Sequence, residues 1–346
     1  LYGDMSRRLM NLLKIYSEKI EIYSIDEAFV SISRHNKNDL YPWARGLRAL
    51  IYQNLGITIT IGIAENKIKA KLANKLAKKN NHSAGIFDFA KVNNENSYLE
   101  EISVENIWGV GIQTSKWLRS KGIKNAKELK NMDQYELKRK LGVVGQRIQL
   151  ELKGYKCLPL EESTKGKKEI RVSRSFGQPI TKLEDLKQAL SLYAIRAAEK
   201  MRSQNLQASA ITIFTRTSHF SRDPYQKSIH KKLVEATNDT CIILRIVIEL
   251  AKEIYHPEYK LSKAGVLMQE LSHCKYSQIS INNYYSNNSS KSEGRLIETI
   301  DSLNKRFKKG AITWGMVSNY HEWRMNRRLL SGTSITNVKK IPTIII

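Results

Sequence analysis

Two periods of apolar and polar residues alternate along this chain, and each change of period marks an element. In IEIYSIDEAFVSIS, residues 20–33, two short strand-like runs flank a polar centre at Ser24 to Glu27. DLYPWARGLRALIYQNLG then carries the apolar spacing of a helix. ITITIGIA, 57–64, sets Ile against Thr and Gly, which predicts a strand with one buried face. It runs into ENKIKAKLANKLAKK, a helix for which Asn66 is the expected N-cap. Lys67, Lys71, Lys75 and Lys78 recur on one side of that helix, with Ile68, Leu72, Ala73 and Leu76 on the other. HSAGIFDFAKVNNENSYLEE reads as a final strand and a linker.

From 101 to 155 the pattern becomes short helices separated by glycines, a small all-helical domain. EESTKGKKEIRVSR follows as a basic tether containing Lys165, Lys167, Lys168, Arg171 and Arg174. Beyond it the periods run strand, helix, strand, strand, helix, strand, a βαββαβ order that predicts one four-strand sheet with two helices. After about 275 the sequence turns rich in Asn and Ser, a composition that predicts no fixed structure, and a basic segment with Trp314 and Trp323 continues to the end.

Composition narrows the partners. The 346 residues carry 58 Lys and Arg against 33 Asp and Glu, a net charge of +25, so a polyanion is the expected ligand. No run is long and apolar enough to span a bilayer, and Arg7, Arg8 and Lys14 interrupt the opening segment where a signal peptide needs an apolar core. Cys157, Cys241 and Cys274 are odd in number and widely spaced, which argues for a reducing, cytoplasmic compartment. An anionic membrane is disfavoured because the lysine face lacks the aromatic and Leu-rich partner face of interfacial helices.

Three short stretches carry candidate chemistry, each with a plainer alternative. Asp26 and Glu27, turned together by a hairpin tip, could hold Mg²⁺ through hard oxygen donors, or could be a solvated acidic turn. The lysine face suits triphosphate or backbone phosphate, or is simply a solvated basic face. Trp108-Gly109-Val110-Gly111 fits a helix-hairpin-helix turn whose backbone N–H groups approach a DNA phosphate, or a turn that only joins two helices.

Taken together and in order, YGDMSRR, EIYSIDEAF, GIAENKIKAKLANKLAKK, IWGVG, SRSFG and AIRAAEKMRS resemble the Y-family translesion DNA polymerases of the UmuC type, with a weaker tail match in HEWRMNRRLLS. The resemblance implies an α+β multidomain fold: a partial palm over 1–95, a helix-hairpin-helix thumb over 96–160, a βαββαβ little finger over 161–275 and a basic C-terminal tail over 276–346. It implies a DNA-directed DNA polymerase that adds deoxynucleotides opposite damaged template by two-metal phosphoryl transfer with two Mg²⁺ ions, in DNA repair and the SOS response.

By the same resemblance Asp26 is a ligand shared by both ions, and Glu27 a ligand on the primer side. Lys78 contacts the incoming dNTP, and Gly109 and Gly111 form the thumb turn. Arg174 and Ser175, with Arg216 and Thr217, touch template phosphates. Implied partners are primer-template DNA, a UmuD′-like subunit and a RecA filament, but no membrane. The family's opening strand, with the Asp that bridges both metals, is not matched. The chain is therefore expected to be N-terminally incomplete and inactive alone, the alternative being a DNA-binding remnant without catalysis. Gln278 to Ile281 departs from the family's clamp-binding peptide at Ile281-Asn282, so sliding-clamp docking is not expected.

Overall fold

The computed structural model describes residues 1–32, 40–79, 84–161, 166–274, 290–307, 310–315 and 322–325. Contacts group them into two compact units, 1–161 and 166–325. The segment Gln278 to Ile281 lies outside the described residues.

The first unit begins with α1 (Tyr2–Ile15), the antiparallel hairpin β1 (Lys19–Ile22) and β2 (Ala28–Ser31), and α2 (Leu40–Leu55). β3 (Ile61–Ile63), α3 (Lys67–Lys79) and β4 (Ile86–Asp88) follow, with β3 and β4 parallel. The strand predicted over 57–64 is thus shorter than its alternation suggests. Its first half gives its carbonyls to side chains: Arg48 Nε donates to Ile59 O at 2.7 Å and Asn74 Nδ2 to Thr60 O at 2.8 Å. The expected cap holds, since the Lys69 amide donates to Asn66 Oδ1 at 3.0 Å. β3 lies against α3 so closely that a Cβ on Gly62 would fall 2.2 Å from Asn74 N and 2.3 Å from Ala70 O.

The small helices are α4 (Glu95–Glu100), α5 (Ile112–Ser120), α6 (Ala126–Asn131) and α7 (Gln134–Leu152), the last kinked at Gly142, where φ is 63°. There is no break in packing at 95/96. Ile68, Leu72 and Leu76 of α3 share one core with Leu99, Leu118 and Leu152. Beneath that core the buried Glu151 accepts from the amides of Ile68 at 2.9 Å, Leu158 at 2.8 Å and Cys157 at 3.2 Å, tying the start of α3 to the end of α7.

In the second unit β5 (Glu169–Ile180), α8 (Leu183–Arg202), β6 (Leu206–Arg216), β7 (Gln226–Thr237), α9 (Thr240–Ile254) and β8 (Leu261–His273) reproduce the βαββαβ reading. The sheet order is β5-β8-β6-β7, antiparallel throughout. Both helices contribute to a single core with Ile170, Val172, Ile211, Ile213, Val266 and Met268.

The tail expected from 276 is not wholly without structure. Residues Ser290–Arg306 form α10, which ties to α8 through a two-pronged pair between Arg202 and Asp301 at 2.6 and 2.9 Å. Trp323 is buried in the core of the same unit. The reason is local: Leu296, Ile297, Ile300 and Leu303 have helical spacing, hidden behind the preceding Asn and Ser run. Among the described residues no helix is long and apolar enough to cross a membrane, and the three cysteines are unpaired.

Candidate functional site

The polar centre of the first hairpin is a tight tip. The amides of Tyr23 and Ser24 both donate to Glu27 O at 3.0 Å, which closes the loop and presents Asp26 and Glu27 at its end. Ser24 Oγ donates to Asp26 Oδ1 at 2.5 Å. That hydrogen bond holds the Asp26 carboxyl below the usual carboxylate range, helped by the more distant charges of Lys78 and Lys71. The Glu27 carboxylate is held differently, by Lys71 Nζ at 2.8 Å.

The lysine face of α3 is therefore not simply solvated. Lys67, one turn before Lys71, is buried and bonds Glu21 at 2.5 Å, so α3 is fastened to the hairpin at two successive turns. Its fellow Lys69 is buried as well, between Glu65 at 2.6 Å and Glu95 at 2.7 Å. Burial opposes the charge of Lys69, yet these two hydrogen bonds keep its pKa above the ordinary lysine value.

Aromatic rings complete the attachment. Tyr23, Phe29 and Trp108 meet with ring centres 5.4 to 6.0 Å apart, and Trp108 Nε1 donates to the Tyr23 hydroxyl at 2.9 Å. Lys71 lies 5.0 Å over the Tyr23 ring and Lys67 5.4 Å over Phe29. The Trp108 to Gly111 turn is thereby tied to the acidic tip, a link the sequence did not announce. Gly109 takes φ 93° beside Ile148, and Gly111 begins α5 in extended conformation with open space where a side chain would stand. No side chain caps the first turn of α5.

Asp26, Glu27, Lys71 and Lys78 line one cavity of about 410 Å³, with apolar side chains such as Leu9, Met10 and Ile61 and the polar Arg48, Thr60 and Asn74 on the rest of its wall. Among the described residues its lining holds no thiol and no imidazole. The donors are carboxylate oxygens, which suit a hard divalent ion, and two of them leave places for water and phosphate oxygens. No group of three or more His, Cys, Asp or Glu stands together among the described residues.

The predicted residues of the second unit separate. Ser175 pairs in register with Lys263, and Lys263 with Arg216, so the three form one rung across β5, β8 and β6. Lys263 was not foreseen, because only the sheet brings it between the other two. Arg216 Nη1 lies 2.7 Å from His219 Nε2. Arg174 takes the alternate phase of β5. Thr217 is buried, and its hydroxyl accepts from the Tyr225 amide at 3.0 Å, closing the β6 to β7 connection.

The chain matches a model of the impB/mucB/samB family over residues 1–75 and the C-terminal domain of that family over 167–281. Residues 294–344 match a domain of unknown function (DUF4113). Protein UmuC of Salmonella typhimurium is 35% identical over 336 residues, covering 96% of this chain and 79% of that protein. Protein MucB of Escherichia coli is 32% identical, covering 99% of this chain and 81% of its own length. Among solved structures a Y-family DNA polymerase chimera of Dbh and Dpo4 has the same fold, with a TM-score of 0.61 at 21% identity over 79% of this chain and 76% of that one.

Proposed function

Because this chain belongs to the UmuC-type branch of the Y-family DNA polymerases, we propose that its acidic hairpin tip is the metal-binding end of a DNA-directed DNA polymerase acting on damaged template in the cytoplasm. The observation that carries this reading is the convergence of Asp26, Glu27, Lys71 and Lys78 on one cavity.

Asp26 and Glu27 would hold Mg²⁺ there. Of two such ions, one would lower the pKa of a primer 3′-hydroxyl and the other would supply positive charge to a leaving pyrophosphate. Ser24 orients the Asp26 carboxylate and extends its charged form further into acid. Lys71 orients Glu27, and its contact must loosen or be shared when a cation of higher charge competes for the same oxygen. Lys78 brings positive charge to the cavity wall and suits the triphosphate of an incoming dNTP.

The open face of the second unit, with Ser175, Lys263 and Arg216 on one rung, suits template phosphates without reading bases. The turn at Gly109 and Gly111 suits the duplex backbone in the same manner. Family membership extends the proposal to a UmuD′-like subunit and a RecA filament, which co-elution with the protein tests.

The metal reading is tested by Tb³⁺ luminescence sensitised through Tyr23 and Trp108, together with primer extension. Mg²⁺ should displace Tb³⁺, and Asp26→Ala should abolish the signal. Where Mg²⁺-dependent extension is present, it should fall by at least about a hundredfold in Asp26→Ala and Glu27→Ala. Normal extension by Asp26→Ala would sink the assignment. Intact DNA binding with no extension and no Tb³⁺ signal would favour the non-catalytic DNA-binding reading.

A further inference from the structure

Arg174 and Ser175 are neighbours in sequence but leave β5 on opposite sides. Arg174 follows Ile170 and Val172 in phase, and its rung continues through the buried Ala264 to the buried Thr215. Ser175 shares its rung with Lys263 and Arg216 on the other face. Arg174 therefore serves a different contact from Arg216.

On its own side Arg174 joins two further guanidinium groups. Arg196 from α8 and Arg324 from the C-terminal segment line one concavity of about 230 Å³ with it, together with Tyr193 and Trp323, and the concavity reaches the edge of β5 at Ser175, where the strand register becomes irregular. Arg174, Arg196 and Arg324 are all exposed, so the concavity opens to a ligand. Among the described residues no carboxylate lines it.

The placement of Arg324 is built into the fold. Its neighbour Trp323 is 5% exposed and meets Phe176 edge-on at 5.8 Å. The Gly177 amide donates to Trp323 O at 2.9 Å. A Cβ on Gly177 would lie 2.5 Å from Arg324 O, so glycine at 177 is what lets the segment dock. Like charges gathered this way oppose one another: partial burial, then the charges of Arg174 and Arg324, lower the pKa of Arg196 against the smaller opposing charge of Glu199. Burial pushes Tyr193 up to about 12, so it stays a neutral phenol beside them. An anion in the concavity would relieve the repulsion, and guanidinium forks match phosphate oxygens in geometry.

We propose that Arg174, Arg196 and Arg324 form a site for one backbone phosphate of a nucleic-acid strand, completed by residues 322–325 within the region that matches a domain of unknown function. The proposal rests on the reading of the second unit as a DNA contact, and gives its C-terminal segment a task in that contact.

The test is fluorescence anisotropy of the full chain with a labelled primer-template across a salt series. Arg196→Gln and Arg324→Gln should each weaken binding about fivefold and lower the slope of log affinity against log salt by about one. The double variant should lose hardly more slope than either single one, since one phosphate is shared. Lys252→Gln on α9, outside the concavity, serves as the charge control. If the unaltered protein binds steeply with salt while both arginine variants match Lys252→Gln, the phosphate site is wrong and the DNA reading stands. If the unaltered protein shows no salt-dependent binding, the DNA reading itself fails.

Discussion

The two units build their strands on different scales. In the second, β5, β6, β7 and β8 run 11 to 13 residues and pair into one sheet over one core. In the first, the strands are three or four residues long and form two separate pairs. Long strands share their register among many ladder bonds, so no single residue decides it. Short strands lack that redundancy, and their place is set by side chains: Arg48 and Asn74 on the carbonyls of 59 and 60, Lys67 and Lys71 on the hairpin, Trp108 on Tyr23. The unit that carries the candidate chemistry is the one in which individual contacts fix the geometry.

The sharpest way to break this contrast is Gly62→Ala. The new methyl would collide with two backbone atoms of α3, which cannot rotate aside as a side chain can. A loss above about 3 kcal/mol is expected, confined to the first unit. Hydrogen exchange should show lost protection in β3 and α3 while the amides of β5 to β8 keep theirs. Uniform loss across both units would mean that they do not fold independently.

Next in size is a matched pair of truncations. Leu190 on α8 is fully buried, so Leu190→Ala should destabilise the second unit by about 3 kcal/mol. Val30 on β2 is only half-buried, and Val30→Ala should cost the first unit about 1 kcal/mol. Urea unfolding followed by hydrogen exchange in each unit gives both values. Equal losses would mean that hydrophobic burial holds the short hairpin as firmly as it holds the second unit, against the contrast in what fixes the two sets of strands.

The same contrast explains what was legible in the sequence. The βαββαβ order could be read because strands of a dozen residues repeat their alternation often enough to be unmistakable. The face of α3 with Ile68, Leu72 and Leu76 was readable for the same reason. The first half of the 57–64 strand was not, because the groups that take its carbonyls sit 11 and 14 residues away. Asp26 and Glu27 were visible as a polar break between two strands, and the Ser-x-Asp spacing was the available signal for the Ser24 hydrogen bond. The burial of Lys67 and Lys69 was not legible, because periodicity cannot show that carboxylates at Glu21, Glu65 and Glu95 meet them. Arg196 and Arg324, separated by 128 residues of chain, could be joined only by the docking of Trp323.

The smallest expected effect isolates one of those short-range contacts. Ser24→Ala removes the donor that most lowers the Asp26 pKa, so the titration of that carboxyl should move up toward the ordinary Asp range. The sign follows from linkage. A carboxylate with a depressed pKa contributes most above its unfolded value, and that contribution disappears as pH falls through the depressed one. Asp26 is exposed, so overall stability should not change measurably, and at neutral pH the carboxylate stays charged in both proteins. The difference appears only in acid, where the unaltered protein should retain Mn²⁺ to a lower pH than Ser24→Ala. Carbon-detected NMR titration of the Asp26 carboxyl, with Mn²⁺ binding followed in parallel, reads both shifts. Identical titrations would mean that the hairpin tip does not hold this hydrogen bond in solution, and that the acidic pair depends on Lys71 alone.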